Sequence, residues 1–311
     1  MNRLVRFAWV VIGWNLVTIL LGALVRATHS GAGCGRSWPT CRGEVLPELG
    51  GATTIEFTHR VASGIALALV ASLLLLVWRS VPRRHPARRA AGWAGVAIVG
   101  EAFIGAAIVF YEWVANDSSI GRAVAVPLHL VNTFVLLAAL TLTIWFLRGG
   151  GQLVVRGAPM TWVIVGGVAL VAIAATGAVT ALADTLFPSE SIGEGLAAAV
   201  TSTEHFLTRL RVLHPVLAVL SVSAAALATR QLGDSVLKRV RAILGLSIVQ
   251  MTLGLLVIFL GSPWWARQLH LVIADLIWIS YVWFAAQTLS STADKSSMES
   301  TGARHANPVH R

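Results

Sequence analysis

Long runs of apolar residues, separated by short polar segments, dominate the chain from Phe7 to Ala286. Eight runs are long enough, at ~1.5 Å rise per helical residue, to cross a hydrocarbon layer of ~30 Å. They predict helices over 7–25, 56–78, 91–110, 123–146, 161–182, 207–228, 240–260 and 266–286. Backbone polar groups must be satisfied internally when they face lipid, so the eight must pack as one bundle. The fold class this implies is an all-α polytopic membrane protein with eight transmembrane helices. The first run follows Met1–Arg6 and reaches Arg26 without a small-residue cleavage site, so it reads as a retained helix. The stretch 290–311 is polar and rich in Ser, His and Arg, and reads as a disordered tail.

Composition agrees with lipid as the solvent. Only 12% of the 311 residues are charged and 56% are apolar, whereas soluble domains carry about 25% charged residues. The net charge of +10 raises nucleic acid as a partner, but the basic residues sit in short clusters between apolar runs and no soluble domain presents them. The positive-inside rule accounts for them better. Arg79, Arg83, Arg84, Arg88 and Arg89 fill one connection, and Arg230, Lys238, Arg239 and Arg241 another. With Arg3, Arg6, Arg148, Arg156, Lys295, Arg304 and Arg311, they put both termini in the cytoplasm. Most acids, including Glu44, Glu48, Glu112, Asp117, Asp184, Glu190, Glu194 and Glu204, then fall outside.

The chain reads as a tandem duplication. Leu128-His129-Leu130-Val131 matches Leu269-His270-Leu271-Val272, and the Glu101–Gly105 stretch matches Gln250–Gly254. Gly22 matches Gly177, and His59 matches His214 at the same offset. Four helices separate the copies, so both halves have one orientation and form a parallel repeat. Two four-helix bundles related by a pseudo-twofold axis along the membrane normal follow, with 1–150 as one half and 151–289 as the other.

Four histidines, His59, His129, His214 and His270, fall within helices at repeat-equivalent positions and similar depth. Each half thus offers two imidazoles from separate helices, as bis-histidine haem ligation needs. A metal ion alone is a poorer match, since zinc takes three or four protein ligands. Hydrogen bonding between helices and proton relay are the other readings. Pro127 and Pro215 lie beside His129 and His214, where a missing backbone donor either aims the imidazole or, for Pro127, simply helps to start the helix.

The halves differ where chemistry would occur. Glu56 precedes His59 by three residues, and the equivalent position before His214 is Arg211. A carboxylate at a haem edge can take a proton; an arginine suits a haem propionate. Glu56 also has a bland reading, as the acid of a Thr53-x-x-Glu56 capping box opening the second helix. Arg211 equally reads as a snorkelling interfacial arginine. Cys34 and Cys41, both in the first outer loop, suit a disulfide in an oxidising compartment, either capping the site or accepting electrons. Glu101 and Asp275 are intramembrane acids that the sequence leaves between a proton path and helix–helix hydrogen bonding.

Cys34-(x)6-Cys41, the Glu56-Phe57-Thr58-His59-Arg60 stretch and the single histidines His129, His214 and His270, ordered in eight helices with a repeat, resemble haem A synthases over residues 7 to 286. That resemblance implies oxidation of the C8 methyl of haem O to a formyl group, with Glu56 catalytic. It implies His59 and His129 as ligands of the substrate haem, and His214 and His270 as axial ligands of a haem b cofactor. Arg60 and Arg211 are the expected propionate contacts, and Cys34–Cys41 the expected disulfide. Some members carry a second cysteine pair in the other half; this chain has none. The resemblance further implies a bacterial cytoplasmic membrane, haem O synthase as a partner, and an electron acceptor that the sequence does not identify; association with a second copy of the chain is left open. The competing readings are a bis-histidine dihaem b-type electron-transfer cytochrome and a transporter.

Overall fold

The computed structural model describes residues 1–153, 158–189, 191–201, 203–228 and 234–305, and the side chains of 158–159, 228, 234–239 and 291–305 are outside that description. Arg156, Glu190 and Arg230, and the side chains of Lys238, Arg239, Lys295 and Arg304, named above in the charge pattern, therefore lie outside the described residues, as does Arg311. Among the described residues there is no strand, and eight helices are long and apolar enough to span a membrane. In chain order the helices are α1 (Asn2–Ala27), α2 (Gly51–Ser80), α3 (Pro86–Phe110), α4 (Ile120–Leu147), α5 (Ala158–Leu186), α6 (Ile192–Val200), α7 (Phe206–Leu210), α8 (Leu213–Ala228), α9 (Asp234–Phe259) and α10 (Trp264–His305).

Small residues bring the first four spans close together. The buried face of α3 is an alanine stripe, Ala87, Ala90, Ala91, Ala94 and Ala97, at helical spacing. Lipid tails are as apolar as leucine, so close backbone approach and dispersion contacts, rather than escape from water, hold such helices together. Ala66, Val70, Leu73 and Val77 of α2 and Leu136, Leu137, Leu140, Ile144 and Leu147 of α4 fill the same core. α4 is the central post: 61% of its membrane-crossing window is buried, against none in the windows of Phe206–Leu227 and Val240–Phe259. It touches α1, α3, α5 and α10. Its contact with α10 is specific, since the Trp278 indole N–H donates to the Phe134 carbonyl at 2.7 Å and the two rings stack at 4.9 Å. Gln268 of α10 donates to the Leu20 carbonyl of α1 at 3.0 Å.

Three boundaries differ from the sequence reading for identifiable reasons. α2 starts at Gly51, with Gly50 as its N-cap and no side-chain cap bond; Thr53 and Glu56 are therefore inside the helix, and no capping box forms. The sixth span is two pieces, α7 and α8, separated at Arg211 and Val212. Pro215 lacks an N–H and its ring crowds the carbonyl four residues back. That carbonyl, of Arg211, instead accepts the Thr180 hydroxyl at 3.4 Å. α10 runs to His305, past the expected end of the eighth span at 286, and no proline or glycine interrupts it between Ser290 and Gly302. Pro127 lies well inside α4, whose N-cap is Ser119, so it does not start that helix.

Candidate functional site

The disulfide loop is clamped onto the first turns of α2. Cys34 and Cys41 are bonded and fully buried. Gly33 lies so close to α2 that a β-carbon there would meet the backbone of Ala52 at 2.5 Å, which is why this position has no side chain. The Thr53 hydroxyl donates to the Gly33 carbonyl at 2.9 Å, and the Cys34 N–H donates to Glu56 Oε2 at 2.7 Å. Arg60, one turn after Glu56, donates through Nη2 to Glu56 Oε1 at 2.6 Å and through Nε at 3.1 Å. The Arg60 Nη1 also donates to the Thr40 carbonyl at 2.6 Å and to the Ser37 carbonyl. Glu56 is 3% exposed, and this buried ion pair ties both sides of the loop to one helix face.

Replacing either cysteine by serine opens a loop whose ends are seven residues apart. Chain-entropy arguments put the expected stability loss at about 2–3 kcal/mol. It is measured as a lower melting temperature in detergent under oxidising conditions, with wild type and variant converging once reductant is added.

His59 of α2 and His129 of α4 lie within electrostatic reach of each other. Gly22 of α1 is the seat of the His59 ring, since a β-carbon there would fall 2.9 Å from His59 Cε1. His59 Nδ1 has no hydrogen-bond partner among the described residues. His129 is held differently. Its Nδ1 lies 2.6 Å from Glu101 Oε2 of α3, at an angle off the ring N–H direction, so the two are in close contact without an aligned hydrogen bond. The other oxygen, Glu101 Oε1, accepts from Asn132 Nδ2 at 2.6 Å and the Thr133 hydroxyl at 3.2 Å. Glu101, undecided from sequence, is thus a partner of His129. Sequence reasoning misses Asn132 and Thr133, for which the available signal is their adjacency to His129 with an acid on the facing helix.

In the last four spans, His214 and His270 approach with ring centres 6.2 Å apart and planes at 81°. Gly177 and Gly254 are their seats, with β-carbons that would fall 3.0 and 3.2 Å from His214 Cε1 and His270 Cε1. His214 Nδ1 lies 2.9 Å from the Ile173 carbonyl. A carbonyl only accepts, so Nδ1 carries the proton and Nε2 presents a lone pair. Two metal–nitrogen bonds of about 2.0 Å, plus roughly 1.1 Å from each nitrogen to its ring centre, sum to about 6 Å. The spacing of the two rings therefore leaves room for one iron bound between them. Among the described residues no group of three or more His, Cys, Asp or Glu gathers to hold a metal ion alone.

Arg211 sits at the α7–α8 break. It pairs with Asp184 at 3.1 Å and donates to the Ser189 hydroxyl at 3.0 Å and to the Ala183 carbonyl at 2.8 Å, and also to the Phe187 carbonyl. Arg267 of α10 donates to the Thr185 hydroxyl at 3.1 Å. Arg26, at the end of α1, lies within electrostatic range of Arg267, Arg122 and Asp184, and its Nε has no partner among the described residues. Sequence reasoning names Arg211 but misses Arg26 and Arg267. Their signal is arginine at helix ends on the face where the positive-inside rule does not require it. Asp275 is 1% exposed and neither carboxylate oxygen has a partner among the described residues.

These features define a multi-pass helical membrane protein with two intramembrane histidine pairs, one of them beside a buried carboxylate and a disulfide-closed loop. The chain belongs to the COX15-CtaA family, described as cytochrome oxidase assembly protein, which matches residues 5–282. It is 44% identical over its whole length to a protein of Thermus thermophilus named "Protoheme IX farnesyltransferase", covering 52% of that protein. It is also 40% identical over 113 residues to the "Heme A synthase" of Bacillus mycoides and that of Bacillus cereus, covering 36% of this chain and 36% of each. The chain thus spans about half the length of the Thermus relative.

Proposed function

We propose that the chain oxidises the C8 methyl of haem O to a formyl group, giving haem A. The observation that carries this is the asymmetry of the two histidine pairs. Among the described residues, only His129 of the four has a carboxylate in direct contact with a ring nitrogen, Glu101 at 2.6 Å, and Glu56, one turn from His59, is bonded to the disulfide loop. The pair formed by His214 and His270 has an arginine, Arg211, in place of the glutamate. An electron wire between two equal haems has no use for that difference.

In this reading His59 and His129 hold the iron of the substrate, with Gly22 giving the His59 ring its room. The Cys34–Cys41 loop closes the site on the side expected to be outer, and Glu56 accepts protons released as the methyl is oxidised. Arg60 orients the Glu56 carboxylate. Methyl plus water gives formyl plus four protons and four electrons, so an electron acceptor is required. His214 and His270 would hold a haem b, which supplies one-electron transfer when bound. Propionate contacts expected at Arg60 and Arg211 would share guanidiniums already bonded to protein, and Arg26 and Arg267 add positive charge beside Arg211.

The Thermus name fits a neighbouring step. This chain matches about half of that protein, leaving the remainder for the transfer its name states. Farnesylated protohaem is the class of substrate needed here, so a haem O synthase is the expected donor. The membrane is proposed to be the bacterial cytoplasmic membrane, with both termini inside. Supplying purified protein first with haem O and an artificial electron acceptor, and then with protohaem and farnesyl diphosphate, separates the two activities. Methyl-to-formyl conversion in the first mixture supports the proposal. Farnesyl addition in the second, with haem O unchanged in the first, overturns it.

A further inference from the structure

The two histidine pairs differ in one more contact. Glu101 and Gln250 are repeat-equivalent by sequence, yet they engage their histidines in opposite ways. Glu101 places a carboxylate oxygen 2.6 Å from His129 Nδ1, held there by the Asn132 amide at 2.6 Å and the Thr133 hydroxyl at 3.2 Å. Asn132 Nδ2 itself also donates to the Ala97 carbonyl at 2.8 Å, which fixes the amide's direction. Gln250 instead donates its amide to the backbone carbonyl of His270 at 2.8 Å. Its own Oε1 has no partner among the described residues, and neither does His270 Nδ1. Asn132 and Thr133 are replaced by Ile273 and Ala274 in the second copy, so the donors that hold the carboxylate are missing there as well.

A negative charge beside the non-ligating nitrogen makes an imidazole a stronger electron donor through its other nitrogen. Donation of that kind stabilises the oxidised iron and lowers its reduction potential, one of the means by which a protein tunes a haem. Among the described residues His270 Nδ1 has no such partner, and the acceptor at His214 Nδ1 is the neutral Ile173 carbonyl rather than a carboxylate. We propose that Glu101 is a positioning residue that holds the His59–His129 haem at a lower reduction potential than the His214–His270 haem. This rests on the reading of both histidine pairs as haem ligands. The consequence is directional: electrons released where the methyl is oxidised run downhill to the second haem. Glu101 thereby acts on the iron through His129 and does not touch the reacting carbon. The close contact suffices for this effect, since the field of a carboxylate at 2.6 Å does not need an aligned N–H.

The test is a redox titration of the purified protein with haem in both sites, followed by optical and low-temperature electron paramagnetic resonance spectra. His59→Ala removes the first signal and so assigns it. Glu101→Gln is expected to raise the potential of the first haem about tenfold in its reduction equilibrium, or about 59 mV, and to leave the second unmoved. Glu101→Asp should restore part of the shift. Gln250→Glu, which leaves the first site intact, should lower the second potential. Unchanged potentials in both Glu101→Gln and Gln250→Glu, with both haems bound, overturn the inference. A wild type with no first-site haem signal overturns instead the ligand reading on which it depends.

Discussion

His270→Ala, and separately His214→Ala, are expected to yield protein that inserts in the membrane yet retains almost none of its haem b. An iron held by two protein imidazoles loses half its axial protein ligation in either variant. The His214 and His270 rings already stand 6.2 Å apart, with Gly177 and Gly254 leaving them room, so little of the site remains once one is gone. The effect should be at least tenfold in haem retained through purification, read from the low-spin optical bands. His129→Ala provides the contrast. It should keep haem b and lose conversion of haem O. If His270→Ala instead retained a full complement of low-spin haem b, these two residues would not be its ligands.

The second large effect is expected at Glu56. Glu56→Gln keeps an oxygen able to accept from the Cys34 N–H but sets an amide against the Arg60 guanidinium, where both are donors. If the carboxylate takes protons from the reacting methyl, conversion of haem O should fall by about 10²–10⁴-fold, with haem b content unchanged. Glu56 also clamps the disulfide loop, and Arg60→Gln separates the roles. That variant breaks the same ion pair but leaves the carboxylate, so it should keep clearly more activity than Glu56→Gln. Equal losses in the two would mean that Glu56 acts only by holding the loop.

The spans are legible in the sequence because lipid demands uninterrupted apolar helices, and 7–25 or 266–286 cannot be hidden in any other way. The four intramembrane histidines stand out in the sequence because the stretches around His129 and His270 match, as do the spacings of Gly22 with His59 and Gly177 with His214. What the sequence withholds is direction. Thr53 and Glu56 have the spacing of a capping box, and only the start of α2 at Gly51 shows that both side chains are used on the loop. The break at Arg211 is implicit in Pro215, but where the freed carbonyl finds its donor depends on Thr180 of another helix. Glu101 lies 28 residues before His129 along the chain, and no periodicity links an acid on one helix with an imidazole on the next. The amphipathic α6 escapes a search for spans because it is too short to cross a membrane and lies within an expected outer loop.

The most direct test of the account is to express the chain with a supply of haem O, purify it in detergent, and identify the extracted haems by chromatography and mass. The account predicts haem B together with haem A or its hydroxylated intermediate. Haem B alone, in two equivalents that survive turnover unchanged, would contradict it and leave a dihaem electron-transfer cytochrome in its place.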